Sequence, residues 1–287
     1  MQNLGYYNGN IGPIEEMRVP MTDRGLYFGD GVYDAAYSRN HVVYALEEHI
    51  RRFYGALKTL EIEEPMPPEQ LEKLLRELVL RVDDGEQFVY WQATRGSALR
   101  EHDFTDVPLK SNLMIMLRPT KIKEVYRPIR LVSAPDKRYE YCNLKTLSLL
   151  PSVLTAEKAH RSGVDECVMH RNGRVTECSH SNISMLKDGV FVTPPSDEWI
   201  LAGVGRAHLM AACRAMGIPV EMRPFTMEEL ADADELIVSS AGSLCLPVCE
   251  LDGRPVGGKD PETLRKLQDY VYGDWMRQTD VPAPSEH

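Results

Sequence analysis

Tyr141-Cys142-Asn143-Leu144-Lys145-Thr146-Leu147-Ser148-Leu149-Leu150-Pro151 holds one charge, the amine of Lys145, among four leucines. Desolvation disfavours a protonated amine, so a lysine kept from water is a ready nucleophile, able to form Schiff bases with carbonyl groups. Read alone, the stretch also fits the commoner case, a lysine whose stem lies on leucines while its head reaches solvent. The residues on either side in the chain decide between the two.

Downstream, the pattern predicts a helix over about 147–161, stopping near Gly163. Hairpins follow. Strands at 166–170 and 175–178 flank Asn172-Gly173, a type I′ turn signal, and strands at 182–186 and 190–193 flank Asp188-Gly189. Glu177 ends one strand, either as a surface carboxylate or as a site residue. Ser179-His180-Ser181-Asn182 then crowds hydrogen-bonding groups together. Ile200-Leu201-Ala202-Gly203-Val204-Gly205-Arg206 opens a helix with Leu209, Cys213 and Met216 on one face. Free N–H groups at a glycine-rich helix start bind anions. His208 occupies the third glycine position of G-x-G-x-x-G, so the expected ligand is a phosphate and not a dinucleotide. Thr226 and Glu229 form a capping box. A strand at 235–239 runs into the small residues Ser240-Ala241-Gly242-Ser243, and the last helix spans about 261–276.

Upstream, residues 6–11 read as a strand with an Asn-Gly turn. Residues 23–34, with Gly25, Gly29 and Gly31, read as a tightly turning loop. Residues 32–43 suggest two strands around Arg39-Asn40, with Tyr33 at the entry. Leu46, Ile50, Phe53, Leu57 and Leu60 mark an amphipathic helix. Arg51 and Arg52 flank its stripe, as solvated arginines or as an anion grip. A second helix is expected over 68–82, and strands at 88–94, 113–117 and 129–134. Between the first two lies the polar loop Arg95-Gly96-Ser97-Ala98-Leu99-Arg100-Glu101-His102. Arg100 and His102, one residue apart, point the same way if the loop is extended. A guanidinium and an imidazole together suit a carboxylate.

A hydrophobic fraction of 43% with 26% charged residues fits a globular chain with a real core. The net charge of −10 argues against nucleic acid and anionic membranes, while leaving room for local anion sites. The six cysteines include no C-x-x-C pair, so no metal site is expected, and they read as small core residues of a reducing cytoplasm. No apolar run reaches membrane-spanning length. The residues from Thr279 on read as a loose tail.

Taken in order, the set resembles the fold-type IV (class IV) pyridoxal-phosphate-dependent aminotransferases, and within them the D-amino-acid aminotransferases. The likeness runs from about 6 to 277. Its markers are Asp23-Arg24-Gly25 with Phe28-Gly29-Asp30-Gly31-Val32-Tyr33, Glu48-His49 through Arg52, and Thr94-Arg95-Gly96 through Arg100 and His102. They continue with Leu144-Lys145-Thr146, then Val175-Thr176-Glu177 through Ser181-Asn182. The resemblance implies an α/β (α+β type) protein with a small N-terminal α/β domain (1–118), a linker (119–127), a larger pseudo-barrel domain that binds the cofactor (128–280) and a tail (281–287). The active site is expected between the domains.

The resemblance implies roles as well. Lys145 bonds to pyridoxal 5′-phosphate and moves the proton. Glu177 pairs with the pyridine nitrogen. Arg52 and the backbone N–H groups of Val204, Gly205 and Ala241 hold the phosphate. Tyr33, Arg100 and His102 trap the substrate carboxylate, the last two from the partner of a homodimer. The implied reaction is ping-pong transfer of an amino group from a D-amino acid to a 2-oxo acid, 2-oxoglutarate or pyruvate, through pyridoxamine phosphate. Alternatives are a branched-chain L-aminotransferase, an (R)-amine transaminase, an aminodeoxychorismate lyase and a non-catalytic relative. Gly205, Ala241 and Gly242 lack the hydroxyls that relatives often place at the phosphate. His180 replaces a small serine, and Glu101 adds a negative charge between the trap residues.

Overall fold

The computed structural model describes residues 1–104 and 109–280. The chain divides into two units. The first comprises Met1–Lys121, Leu144–Ser148 and the residues from Trp275 on; the second comprises Ile122–Asn143 and Leu149–Asp274. Leu144–Ser148, expected within 128–280, therefore packs with the first unit.

The first unit is built on β1 (Leu4–Tyr7), β2 (Asn10–Gly12), β3 (Gly31–Arg39), β4 (Val42–Val43), β5 (Gln87–Thr94) and β6 (Asn112–Pro119). They form an antiparallel sheet in the order β2-β1-β6-β5-β3-β4. The Asn8-Gly9 turn joins β1 to β2 with both φ angles positive, as the dipeptide predicts. Helices α2 (Leu46–Thr59) and α3 (Pro68–Val79) lay their apolar stripes on the core, where Phe53, Leu57, Leu71, Leu75 and Trp91 are fully buried. Each such side chain contributes roughly 1.5–3 kcal/mol.

The loop expected at 23–34 is instead partly helical. Asp23 caps a short helix, α1 (Arg24–Phe28), by accepting from Gly25 N–H, and Gly29 closes it at φ +63°. Gly31 is needed for close approach: a Cβ there would lie 2.5 Å from Ala93 O and 2.7 Å from Leu147 Cδ1.

The second unit holds β7 (Ile129–Pro135), α4 (Leu150–Arg161), β8 (Glu166–Arg171), β9 (Arg174–Cys178), β10 (Asn182–Lys187) and β11 (Val190–Thr193). After these come α5 (Val204–Ala215), β12 (Val220–Met222), α6 (Met227–Ala231), β13 (Glu235–Ser239), β14 (Leu246–Leu251), β15 (Arg254–Pro255) and α7 (Pro261–Thr279). The sheet runs β12-β11-β10-β13-β14-β7-β8-β9, with β15 beside β14. From β9 the chain passes straight to β10, and Cys178 N–H donates to Ser181 O at 2.8 Å, so the sheet curls back on itself. β12, β14 and β15 were not expected from the sequence. Helix α4 begins at Leu150, later than expected, and Leu150, Val153 and Leu154 are exposed. Thr279 is fully buried in α7 and donates to Trp275 O, so it is no loose tail; 281–287 lie outside the described residues.

Candidate active site

In the first unit, Lys145 is held against β3. Tyr33 N–H donates to Lys145 O at 2.9 Å, and Leu147 N–H donates to Gly31 O at 3.0 Å. The Lys145 amine lies 4.4 Å from the centre of the Tyr33 ring. The backbone thus fixes the lysine while its side chain stays half-buried. The leucine shell is thinner than the sequence suggests, because Leu149 and Leu150 are exposed.

The inward face of β3 alternates Val32, Asp34, Ala36 and Ser38. Asp34 is fully buried there. Its Oδ2 accepts from Arg52 Nε at 2.9 Å, and its Oδ1 lies 2.6 Å from Arg52 Nη2 and 2.8 Å from His49 Nδ1. His49 and Arg52 share one face of α2, three residues apart. Burial pushes the Asp34 carboxyl up, but the Arg52 charge and the hydrogen bonds from Arg52 and His49 outweigh it and hold it below the usual range. Burial lowers His49, against the pull of Asp34. Asp34 therefore positions Arg52.

Arg100 and His102 meet at a single ring. The Arg100 guanidinium lies 5.0 Å from the centre of Phe28, and the His102 ring 5.1 Å from it. Both side chains are exposed, as is Glu101. Tyr33 is placed beside Lys145 instead.

In the second unit, Glu177 is 7% exposed at the end of β9. Its Oε2 accepts from Asn182 Nδ2 at 2.9 Å and from Leu201 N–H at 3.1 Å, and its Oε1 accepts from Arg138 Nη1. Arg138 also binds Asp136 through Nε and Nη2, and it donates to Trp199 O at 3.0 Å. Asp136 in turn accepts from Thr176. Burial lowers the Arg138 guanidinium, but Asp136 and Glu177 more than restore it, so it stays charged. The sequence reading missed Asp34, Asp136 and Arg138. For Asp34 a usable signal was present, since the His49-x-x-Arg52 pair needs an anion. Arg138 lies 39 residues from Glu177, and no local pattern links them.

Gly203 caps α5 with no side-chain hydrogen bond to its first N–H groups. A Cβ on Gly205 would lie 2.9 Å from Ser240 O, and one on Gly203 would lie 1.9 Å from Asn182 Oδ1. The start of α5 at Val204 and Gly205 therefore lies close against the backbone of Ser240, next to Ala241. His180 has Nδ1 2.8 Å from Glu166 Oε2 and 2.9 Å from Ser179 Oγ, and its side chain is exposed. Burial raises the Glu166 carboxyl, but the hydrogen bonds from His180 and Ser179 hold it below its ordinary value.

Residues 31–251 match the family model described as amino-transferase class IV. The chain belongs to that family, whose members depend on pyridoxal phosphate. Among curated relatives, a D-alanine aminotransferase of Listeria monocytogenes is 36% identical over 268 residues, covering 92% of this chain and 93% of its own. One of Bacillus licheniformis is 32% identical over 265 residues, covering 91% and 92%. The solved branched-chain aminotransferase of Thermoproteus uzoniensis shares the fold at a TM-score of 0.87 and 24% identity, covering 98% of this chain and 97% of its own. That of Escherichia coli does so at 0.83 and 21%, covering 97% and 96%.

Proposed function

We propose that the protein transaminates D-amino acids, with pyruvate or 2-oxoglutarate as acceptor. One observation carries the reading: Arg100 and His102 converge on Phe28, offering a guanidinium and an imidazole to one carboxylate. The relatives named D-alanine aminotransferase, alike over nine-tenths of the chain, support it. The branched-chain reading rests on likeness of fold alone.

Pyridoxal phosphate, when bound, supplies an electron sink for the carbanion formed at the substrate Cα. The chain's own residues do the rest. Lys145 Nζ would hold the cofactor and would move the proton at the substrate Cα. Tyr33 lines the amine and contributes to carboxylate binding. Glu177, fixed by Asn182, Leu201 and Arg138, would pair with the pyridine nitrogen and favour its protonated form. Val204, Gly205 and Ala241 would offer backbone N–H groups to a phosphate. Arg52, held by Asp34, would offer its charge to an anion. Arg100 and His102 grip the α-carboxylate, which sets the enantiomer whose Cα–H faces the amine.

The working unit is a homodimer in which these two residues serve the partner's site. The exposed Leu150, Val153 and Leu154 of α4 support such an apolar interface. The enzyme acts on small amino and oxo acids in the cytoplasm.

The test is a half-reaction. The cofactor-loaded protein is mixed with D-alanine and, separately, L-leucine, and the visible absorbance of the bound cofactor is followed. Loss of the band with D-alanine only is the expected result. Loss with L-leucine only would overturn the substrate reading.

A further inference from the structure

The residues that face a substrate carboxylate sit in a loop with little backbone structure of its own, and the structure shows what holds that loop. Ala98 N–H donates to Thr22 O, and Arg24 N–H donates to Gly96 O. Tyr27 Oη donates to Ala98 O. At the far end of the loop the backbone ladder has run out, and one side chain takes over. Arg24 donates through Nη1 to Glu101 O at 2.7 Å and through Nη2 to His102 O at 3.1 Å. Its Nε is committed to Asp30 Oδ2 at 2.8 Å. Arg24 is 3% exposed, so its fork has no alternative partner in water.

Asp30 also accepts from Arg95 Nε, and Arg95 is tied to Leu60 O and Glu61 O. One carboxylate thus serves two buried guanidiniums. The carbonyls of Glu101 and His102 supply the acceptors that Arg24 needs beyond its share of Asp30. The Arg24 guanidinium also lies 4.9 Å from the centre of Phe28, the ring that Arg100 and His102 approach at 5.0 and 5.1 Å.

We propose that Arg24 is a positioning residue for carboxylate recognition: pinned by Asp30, its planar fork fixes the Glu101 and His102 carbonyls and so brings the Arg100 and His102 side chains together at Phe28. This rests on the reading of Arg100 and His102 as the carboxylate trap. It also accounts for the Asp23-Arg24-Gly25 stretch, in which Asp23 caps α1 and sets the start of the Arg24 side chain.

The experiment uses the cofactor-loaded enzyme with Arg24→Met and Arg24→Lys. Lysine can keep the pairing with Asp30, but a point-like ammonium cannot serve the carboxylate and two carbonyls at once. The expected result for Arg24→Lys is a rise of about tenfold in KM for D-alanine and in Ki for propionate, which presents a carboxylate without an amine. The kcat should stay within about threefold. Arg24→Met should exceed these losses if it folds; if it does not, Arg24→Lys carries the test.

Arg100→Ala and the double variant Arg24→Lys/Arg100→Ala complete a cycle. With the Arg100 side chain gone, the Arg24 change should act through His102 alone and add less than it does in the unaltered enzyme. A KM for Arg24→Lys within about twofold of the unaltered enzyme, beside a raised KM for Arg100→Ala, would overturn the inference and leave the trap standing. Full additivity in the double variant would overturn it as well, since Arg24 would then act on the fold at large. An Arg100→Ala enzyme with unchanged KM would remove the trap reading, and this inference with it.

Discussion

Asp34 touches no substrate in the proposed reaction, yet its carboxylate does more to shape the first unit's chemistry than any exposed group. It is a buried anion with two cationic or polar partners on one helix face, and it holds Arg52 in a fixed fork. Removing one member of a buried pair leaves the other uncompensated, which costs about 3–5 kcal/mol. Asp34→Asn should therefore lower the stability by that order. It should also weaken pyridoxal phosphate binding by about tenfold through a misplaced guanidinium, measured by equilibrium dialysis. An unchanged affinity would mean that Arg52 does not depend on Asp34 for its place. Lys145, whose amine lies 4.4 Å from the centre of the Tyr33 ring, makes a sharper prediction. Lys145→Ala should lose turnover by about 10³ or more, and borohydride treatment should no longer leave the cofactor's mass on the chain in a mass spectrum. Residual borohydride-fixed cofactor would point to another lysine.

Helix α4 shows what a hydrophobic pattern does and does not say. Of its described side chains only Ala159 is buried, while Leu150, Val153 and Leu154 are 64%, 58% and 62% exposed. An apolar face left uncovered in one chain is a candidate interface. Val153→Glu with Leu154→Glu should convert the proposed dimer to a monomer in sedimentation. Turnover should fall with it, since Arg100 and His102 would no longer reach a partner's site. A double variant that sediments as a dimer would move the interface elsewhere. The same limit explains what was legible in the sequence. Asn8-Gly9, Asn172-Gly173 and Asp188-Gly189 all adopt the positive φ angles their dipeptides demand, and the Thr226/Glu229 capping box is formed. These are local signals, complete within four residues. The α1 helix was missed although its Asp23 cap and Gly29 stop are equally local, because three glycines in seven residues read as loop. β14 and β15 were missed although Asp252-Gly253 turns between them with both φ angles positive. The Arg138–Glu177 and Arg24–His102 contacts join residues 39 and 78 apart. Only the folded chain brings them together.

Across the molecule, buried charge makes the stability depend on pH in a definite direction. Burial holds the His49 imidazole below its ordinary value against the pull of Asp34. An unfolded chain takes up that proton near pH 6.5, whereas the folded chain resists it, so the unfolded state binds more protons and stability falls as the pH drops below about 6.5. Asp34, Asp136 and Glu166 are all held below the usual carboxylate range by cationic or hydrogen-bonding partners that outweigh burial. Their contribution is present above about pH 4 and is lost as the pH falls further, so it adds a second, more acidic loss. Each group contributes a slope of at most about 1.4 kcal/mol per pH unit. The two windows are separable with one variant. His49→Asn keeps a donor for Asp34 but has no proton to gain. Trp91, whose ring centre lies 6.3 Å from that of His49, gives a local fluorescence probe. In urea titrations between pH 7 and pH 5, the midpoint of the unaltered protein should fall with pH, and that of His49→Asn should fall less. Below pH 4 the two should decline together, since the carboxylates are common to both. Parallel declines across pH 7 to 5 would show that His49 binds its proton equally well folded and unfolded, the pull of Asp34 cancelling the effect of burial.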